Sequence, residues 1–483
     1  MSKAKTILST LIVICLLPLL GSAQSLSGDW RGNINIMGQK LHIITHFQKN
    51  DSSYSGTIDI PQQGAKGLGL QNISRTETDS ISFGFPAGPG YASFAGIFKS
   101  DSVISGTFSQ NGRQFSFELH RYDKKEEEQA KAEQQKDLPY HHKDLIIKND
   151  SIDIGGTLTW PKNNKPEQLV IMMSGSGAQD RDETLRPLSD FKPFAVLADS
   201  LTTSNIATFR YDDRGVGQST GSFGNTTLQM LASDVEAIIK YLTKRPKHNF
   251  KKIILLGHSQ GGIVGGRVAA KNKKVDKLIL MASPSLTLDK ILQYQLKQNF
   301  IQNGFEEAKV EPALSAFQKA LEAIHNENNV KAAKKHYEKK IGEMFRSLPN
   351  QNKPQIANFD SAASAQGKGL LQAFTNPQMQ SLLFYDPTND LKKLDIPVLA
   401  LFGGKDVQVL AGKNKPPIKA ALESAGVPYR IEVFEQANHL FQKADTGLPQ
   451  EYGTLPNQFL DKFTSTIIEW INKSGGEAAN HKK

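Results

Sequence analysis

The residues best suited to chemistry stand together at Gly257-His258-Ser259-Gln260-Gly261-Gly262. An apolar run at 253–256 precedes them and a helix-compatible stretch at 263–270 follows. A chain turning this sharply from strand to helix brings backbone against backbone, so side chains at positions 257 and 261 would collide and glycine is required at both. The turn thrusts Ser259 out at the carboxyl edge of a sheet, in a strained conformation. A bare G-x-S-x-G string is a weak signal in a glycine-rich chain; the strand before it and the helix after it give it weight.

A serine hydroxyl is a poor nucleophile near neutral pH and needs a base within hydrogen-bond reach, oriented in turn by a buried acid. For this kind of elbow the expected order is serine, acid, histidine. After the apolar run ending at Phe402 comes Gly403-Gly404-Lys405-Asp406, and after the run ending at Phe434 comes Glu435-Gln436-Ala437-Asn438-His439. Both are strand-end loops, so Asp406 is the expected acid and His439 the expected base. Position argues against the other candidates. His258 adjoins Ser259 and would point away from its hydroxyl. His42, His46, His120, His141 and His142 precede the second sheet, and His248 lies in a basic loop. Asp390 and Asp395 fall at the wrong end of the strand before Asp406, and Asp386 is a weaker rival.

Attack on a carbonyl also needs donors for the oxyanion. The backbone N–H of Gln260 is one. The run at 169–173 leads into Ser174-Gly175-Ser176-Gly177, whose small residues let backbone amides approach a ligand, and the second donor is expected at Gly177 or Ala178. Asp212 and Arg214, in a further strand-end loop, are expected to hold loops together by a salt bridge, and Asp180, Arg181 and Asp182 to be structural as well.

These residues must be positioned by a sheet. Apolar runs at 169–173, 206–211, 253–256, 278–281, 398–402 and 431–434 alternate with helical stretches, the pattern of buried parallel strands covered by helices on both faces. Leu228, Leu231, Val235, Ile238, Ile239 and Leu242 recur at helical spacing and predict one such helix. Residues 285–391 interrupt the alternation with a long helix-forming stretch, read as an inserted cap over the carboxyl ends of the strands.

The region at 24–121 has a different rhythm. Period-two alternation, as in Leu41-His42-Ile43-Ile44-Thr45-His46-Phe47, and recurrent turn signals predict a meander of short antiparallel strands, as a small barrel or curved sheet. Ser55-Gly56-Thr57 and Ser105-Gly106-Thr107 each open a strand there, a weak sign of an internal repeat. Residues 122–139, rich in Glu, Lys and Gln, read as a charged helical linker, 140–475 as the second domain, and 476–483 as a polar tail.

Lys3 and Lys5 precede an apolar run at 7–20, followed by Gly21-Ser22-Ala23. This predicts a signal peptide at 1–23, too short in its apolar run for a stable membrane anchor, and hence a secreted or periplasmic protein. The single cysteine, Cys15, lies in that run, so the mature chain could form no disulfide. The formal net charge of +10 is spread over the chain without the aromatic clustering of a nucleic-acid face. No His pair or Cys cluster has metal-ligand spacing.

At these residues the chain resembles the α/β-hydrolase superfamily, and within it the serine aminopeptidase-like and lysophospholipase-like esterases. The resemblance rests on residues 174–182, Asp213-Arg214-Gly215-Val216-Gly217-Gln218-Ser219, the elbow, Gly403-Gly404-Lys405-Asp406 and Asn438-His439, and it covers roughly residues 140 to 475. It departs at the oxyanion turn, where Ser174-Gly175 replaces the more usual His-Gly. The expectation is a capped α/β-hydrolase fold behind an all-β domain. The expected activity is hydrolysis of small-molecule acyl esters, without metal or organic cofactor, by Ser259, Asp406 and His439. An aminopeptidase would share the triad but needs a carboxylate for the substrate ammonium, and Glu306, Glu307, Glu322 and Glu343 in the cap are available. An inert hydrolase domain with an envelope- or glycan-binding β unit is the alternative outside enzymology.

Overall fold

The computed structural model describes residues 25–36, 39–51, 53–60, 65–76, 79–87, 90–110, 112–123, 138–185, 189–244, 250–347 and 358–473. The expected signal peptide at 1–23, most of the linker and the 476–483 tail lie outside them. The chain divides into two units, Met1–Glu133 and Gln134–Lys483.

The first unit is one antiparallel sheet of nine strands: β1 (Gly28–Ile36), β2 (Gln39–Asn50), β3 (Ser53–Ile60), β4 (Ala65–Gly69), β5 (Gln71–Arg75), β6 (Ser80–Ala87), β7 (Gly90–Ser100), β8 (Val103–Gln110) and β9 (Arg113–Tyr122). Their order is β4-β3-β2-β1-β9-β8-β7-β6-β5, so the pairing of β1 with β9 joins the two ends of the meander. The sheet is barrel-like, and its edge strands β4 and β5 are separated in sequence only by Leu70, whose N–H donates to the Gly56 carbonyl of β3 at 2.9 Å. Alternate residues point inward, and Trp30, Phe47, Phe83, Phe94, Phe108 and Phe117 fill the interior. Ser55-Gly56-Thr57 and Ser105-Gly106-Thr107 occupy matching third-to-fifth positions within β3 and β8 rather than opening them.

The second unit is built on eight strands: β10 (Tyr140–Asn149), β11 (Ile152–Pro161), β12 (Gln168–Met173), β13 (Ala207–Tyr211), β14 (Lys252–His258), β15 (Val275–Met281), β16 (Val398–Gly403) and β17 (Tyr429–Phe434). They are ordered β10-β11-β13-β12-β14-β15-β16-β17. From β13 to β17 every pairing is parallel, while β10 and β11 form an antiparallel hairpin that pairs antiparallel with β13. The hairpin is an addition to the expected strands. His141 and His142 therefore lie on the sheet's edge strand instead of preceding the sheet.

Helices α1 (Pro193–Thr203), α2 (Leu228–Thr243) and α3 (Gln260–Ala269) precede a long helical segment. That segment contains α4 (Leu288–Gln302), α5 (Glu307–His325), α6 (Val330–Arg346), α7 (Phe359–Phe374), α8 (Pro377–Leu382) and α9 (Thr388–Leu391), and α10 (Ala411–Ala425) and α11 (Phe463–Asn472) follow β16 and close the chain. The apolar strands have a direct cause. Leu169, Ile171 and Met173 of β12 pack into one core with α2 and α3, whereas Val170 and Met172 pack into the opposite core with α1 and α11. A strand buried on both faces has no polar alternation to show. The segment between β15 and β16 has its own core, built from Leu314, Phe317, Leu321, Tyr337, Ile341 and Phe374.

Candidate active site

The turn between β14 and α3 holds Ser259 at φ 51° and ψ −118°, a conformation that side chains rarely adopt. A Cβ on Gly257 would lie 2.2 Å from the carbonyl oxygen of Gly261, and one on Gly261 would lie 2.1 Å from that of Met173. Both glycines are thus demanded by close backbone approach. Ser259 N–H donates to the Met281 carbonyl of β15 at 2.8 Å, which fixes the elbow against the neighbouring strand. Beyond it α3 begins at Gln260, with the free amides of a helix N-terminus beside the serine.

Asp406 and His439 leave adjacent parallel strands, β16 and β17, and come together. His439 Nδ1 donates to Asp406 Oδ2 at 2.7 Å, and both side chains are buried. The other oxygen of Asp406 accepts the amides of Gln408 at 2.8 Å and Val409 at 2.9 Å, so the carboxylate is bonded on both oxygens. The histidine loop is shaped by Asn438, fully buried, whose side-chain oxygen accepts the amides of Leu440 and Gln442 at 2.9 Å each. The elbow reaches this loop through His258, whose Nε2 donates to the His439 carbonyl at 3.0 Å. With Nδ1 committed to Asp406, Nε2 of His439 is the ring nitrogen left for proton transfer. The rivals are engaged elsewhere: Asp386 accepts from Thr388 on α9, Asp390 from Tyr385, and Asp395 pairs with Lys273.

A cavity of about 280 Å³ opens beside the serine, lined by Ser176, Ser259 and Gln260 and by apolar side chains that include Ile263, Leu286, Leu288, Ile291 and Leu382. Much of its wall comes from the helical segment between β15 and β16. That segment also touches the elbow directly, through Gln378 Nε2 of α8 donating to Gln260 Oε1 at 3.3 Å.

Ser176, and neither Gly177 nor Ala178, belongs to the cavity wall. The Gly175 amide is taken by Glu183 Oε1 at 2.6 Å, and the Gln179 amide by Asp213 Oδ2 at 3.0 Å. Asp213 also accepts from Ser174 Oγ at 3.2 Å, and burial pushes its carboxyl up to about 8 against these two bonds.

The expected Asp212–Arg214 bridge is also corrected. Arg181 forks onto Asp212, with contacts of 3.1 and 2.6 Å, while Arg214 forks onto Asp234 of α2 at 2.7 and 2.8 Å. The two residues are close in sequence but leave the turn in different directions. Asp212 further accepts the Gln218 amide at 2.9 Å, and Gly217 approaches so closely that a Cβ there would lie 2.3 Å from its carboxylate. Among the described residues no group of three or more His, Cys, Asp or Glu side chains is placed to hold a metal ion, and no helix is long and apolar enough to cross a membrane.

Sheet order, elbow and strand-end loops define the second unit as an α/β-hydrolase domain. Comparison agrees. A family model described as serine aminopeptidase, S33, matches residues 190–345, a stretch that contains the elbow and ends before Asp406 and His439. Esterase EstD of Thermotoga maritima is 23% identical over 409 residues, which span 84% of this chain and 82% of the relative. An esterase of Pyrococcus furiosus is 15% identical and covers 71% of this chain and 94% of its own, at a TM-score of 0.43. A proline iminopeptidase of Mycobacterium smegmatis is 16% identical and covers 68% and 97%, at a TM-score of 0.39. The chain is thus similar to a serine aminopeptidase family model over part of its second unit and to an esterase over most of its length.

Proposed function

We propose that this protein is an exported hydrolase of carboxylic esters that works through an acyl-Ser259 intermediate. The observation that carries the reading is a strained serine opening onto an apolar cavity, with the adjoining His258 bonded to the backbone of His439, whose ring is itself bonded to a buried aspartate. Ser259 Oγ attacks the ester carbonyl as His439 Nε2 takes its proton, and Asp406 stabilises the imidazolium. The amides of Gln260 and Ser176 receive the oxyanion. Collapse expels the alcohol, which takes the proton back from His439, and a water molecule activated by the same nitrogen then releases the acid.

The lining of the cavity favours esters over peptides with a free N-terminus. Among the described residues that line it there is no carboxylate to receive an ammonium group, and three of the four cap acids named for that role are engaged elsewhere: Glu307 with Lys297, Glu322 with Gln318 and Glu343 with Lys340, while Glu306 is not part of the lining. A water-sized group takes up about 30 Å³, so the cavity has room for roughly nine such groups, the size of a short to medium acyl chain. The similarity to Esterase EstD supports the same chemistry.

The test is a fluorophosphonate probe on the mature protein, followed by parallel rates on p-nitrophenyl esters and aminoacyl amides. Labelling of wild type but not of Ser259→Ala, with ester turnover well above amide turnover, is expected. Amide turnover far above ester turnover would overturn the ester reading, and absence of labelling in folded wild type would overturn the serine mechanism. Export rests on the apolar run at 7–20 followed by Gly21-Ser22-Ala23. It is checked by N-terminal sequencing of protein recovered outside the cytoplasm, where a chain beginning at Gln24 is expected.

A further inference from the structure

Glu183 and His258 have no part in the bond-making steps, yet both are almost wholly buried beside the site. Glu183 Oε1 accepts from two donors, the Gly175 amide at 2.6 Å and His258 Nδ1 at 2.7 Å. On its other side His258 donates Nε2–H to the backbone carbonyl of His439 at 3.0 Å. One pair of side chains thus ties together the turn that precedes Ser176, the strand end that carries Ser259 and the loop that carries His439. The two imidazole rings lie 4.7 Å apart, tilted by 50°.

The hydrogen bonds also determine where the protons are. A carbonyl oxygen only accepts, so Nε2 of His258 must carry hydrogen. An ionised carboxylate likewise only accepts, so Nδ1 facing it carries hydrogen too. The ionisable groups around this ring are Glu183, Asp406 and His439. Burial works against a charged ring, but the nearby Glu183 carboxylate, the bond to the His439 carbonyl and the more distant Asp406 carboxylate outweigh it and raise the His258 pKa.

Two costs show how firmly this carboxylate is held. Glu183 sits at φ 55°, in the left-handed region that non-glycine residues avoid, and its second oxygen is buried without a hydrogen-bond partner. A buried ion pair is seldom the most stable filling for its space, since well-packed apolar residues often serve as well or better. Strain and desolvation gathered at one residue beside a reacting centre fit a part kept for geometry.

We propose that Glu183 and a doubly protonated His258 form a positioning pair that locks the oxyanion turn and the His439 loop onto the nucleophile elbow. The proposal rests on the serine-hydrolase reading of the same site. Neither residue touches substrate. The pair fixes the backbone of Gly175, one residue before the oxyanion donor Ser176, and the backbone of His439, whose side chain Asp406 holds from the opposite direction. Displacements of an ångström in such groups are enough to lower turnover by about 100-fold.

The experiment uses the full mature chain, with histidine ring nitrogens labelled for NMR, in wild type, Glu183→Gln, His258→Gln and the double variant. In wild type both His258 nitrogens are expected to be protonated across pH 6 to 8, and in Glu183→Gln one of them is expected to lose its hydrogen. With active sites titrated by fluorophosphonate, so that misfolded molecules are not counted, Glu183→Gln is expected to lower kcat about 10- to 100-fold with KM within about twofold. The double variant should be no slower than the slower single one, because the two residues act as a unit. A neutral His258 in wild type overturns the charge assignment. A Glu183→Gln enzyme with normal kcat per titrated site and only a lower melting temperature overturns the positioning role. If wild type shows the doubly protonated ring but hydrolyses no ester, the functional reading fails while the pair itself stands.

Discussion

Replacing Asp406 by asparagine tests the site more sharply than removing it, because the surrounding bonds dictate how the new amide must sit. Asp406 Oδ1 accepts two backbone N–H groups, from Gln408 and Val409 at 2.8 and 2.9 Å. An asparagine must present its carbonyl oxygen to them, since an NH2 group there would meet two donors. Its NH2 then faces His439 Nδ1, which bonds to the carboxylate at 2.7 Å in the native protein. Nδ1 is forced to accept, and the ring hydrogen moves to Nε2, the nitrogen that takes the proton of Ser259 in the proposed mechanism. On that mechanism the fold is spared while the base is disabled. The same change in another Ser-His-Asp enzyme costs roughly 10⁴ in turnover, a barrier increase of about 5 kcal/mol. Asp406→Ala differs in kind, because it leaves buried amides unpaired and should lower stability by about 2 kcal/mol as well. The assay is initial-rate hydrolysis of a p-nitrophenyl ester per folded molecule, with melting temperature measured alongside. A Asp406→Asn enzyme within about tenfold of wild type would refute the tautomer argument.

Filling the cavity should change chain-length preference: each methylene buried contributes about 0.8 kcal/mol, close to fourfold in kcat/KM, until the space is full. Ile291→Trp is therefore expected to move the preferred acyl chain to shorter lengths, as read from a series of p-nitrophenyl esters. The carboxyl of Asp213, pushed up to about 8 by burial, binds its proton more tightly in the folded chain than in the unfolded one, where carboxyls titrate near 4. Its contribution should thus lower stability as pH rises from about 4 to about 8, and Asp213→Asn should flatten that part of the melting-temperature profile. Buried Lys277 donates Nζ to the carbonyls of Trp470, Ile471 and Lys473 at the end of α11, at 3.1, 2.8 and 2.8 Å. Lys277→Met should lower stability by about 2 kcal/mol in chemical denaturation and leave kcat unchanged.

The candidate triad could be read from sequence because each member lies at or within a few residues of the carboxyl end of a strand. Ser259 stands between two glycines that the backbone requires, and Asp406 and His439 lie in loops whose strands, β16 and β17, pair in parallel register. Periodicity reveals strands that are buried on both faces. It is less informative at the sheet's edge, where only Leu145 and Ile147 of β10 are buried, and the hairpin at its start went unread. Long-range polar pairing left no local trace at all. Glu183 and His258 are 75 residues apart, and Arg181 and Asp212 are 31 apart, so neither partnership can be inferred from spacing. The nearer pairing of Asp212 with Arg214 was the natural reading, but turn geometry separates the two side chains.

The same limit explains the oxyanion turn. Its four small residues, 174–177, are equally permissive in sequence, and which amide remains open for substrate depends on which are consumed by distant carboxylates. Glu183 takes Gly175 and Asp213 takes Gln179, so these two acids bracket the stretch 176–178. Ser176, on the cavity wall with Ser259 and Gln260, is the member of that stretch placed to serve. On the proposed mechanism the second donor is thus selected by acids that lie outside the cavity lining. The cap acts on the first donor in a comparable way, since Gln378 holds the side chain of Gln260 while its neighbour Ser381 accepts the Leu228 amide at 2.8 Å. The base of the cap is therefore bonded to the elbow at Gln260, whose backbone amide receives the oxyanion in the proposed mechanism. On that mechanism the side chains that line the cavity and the groups that steady the transition state share one framework.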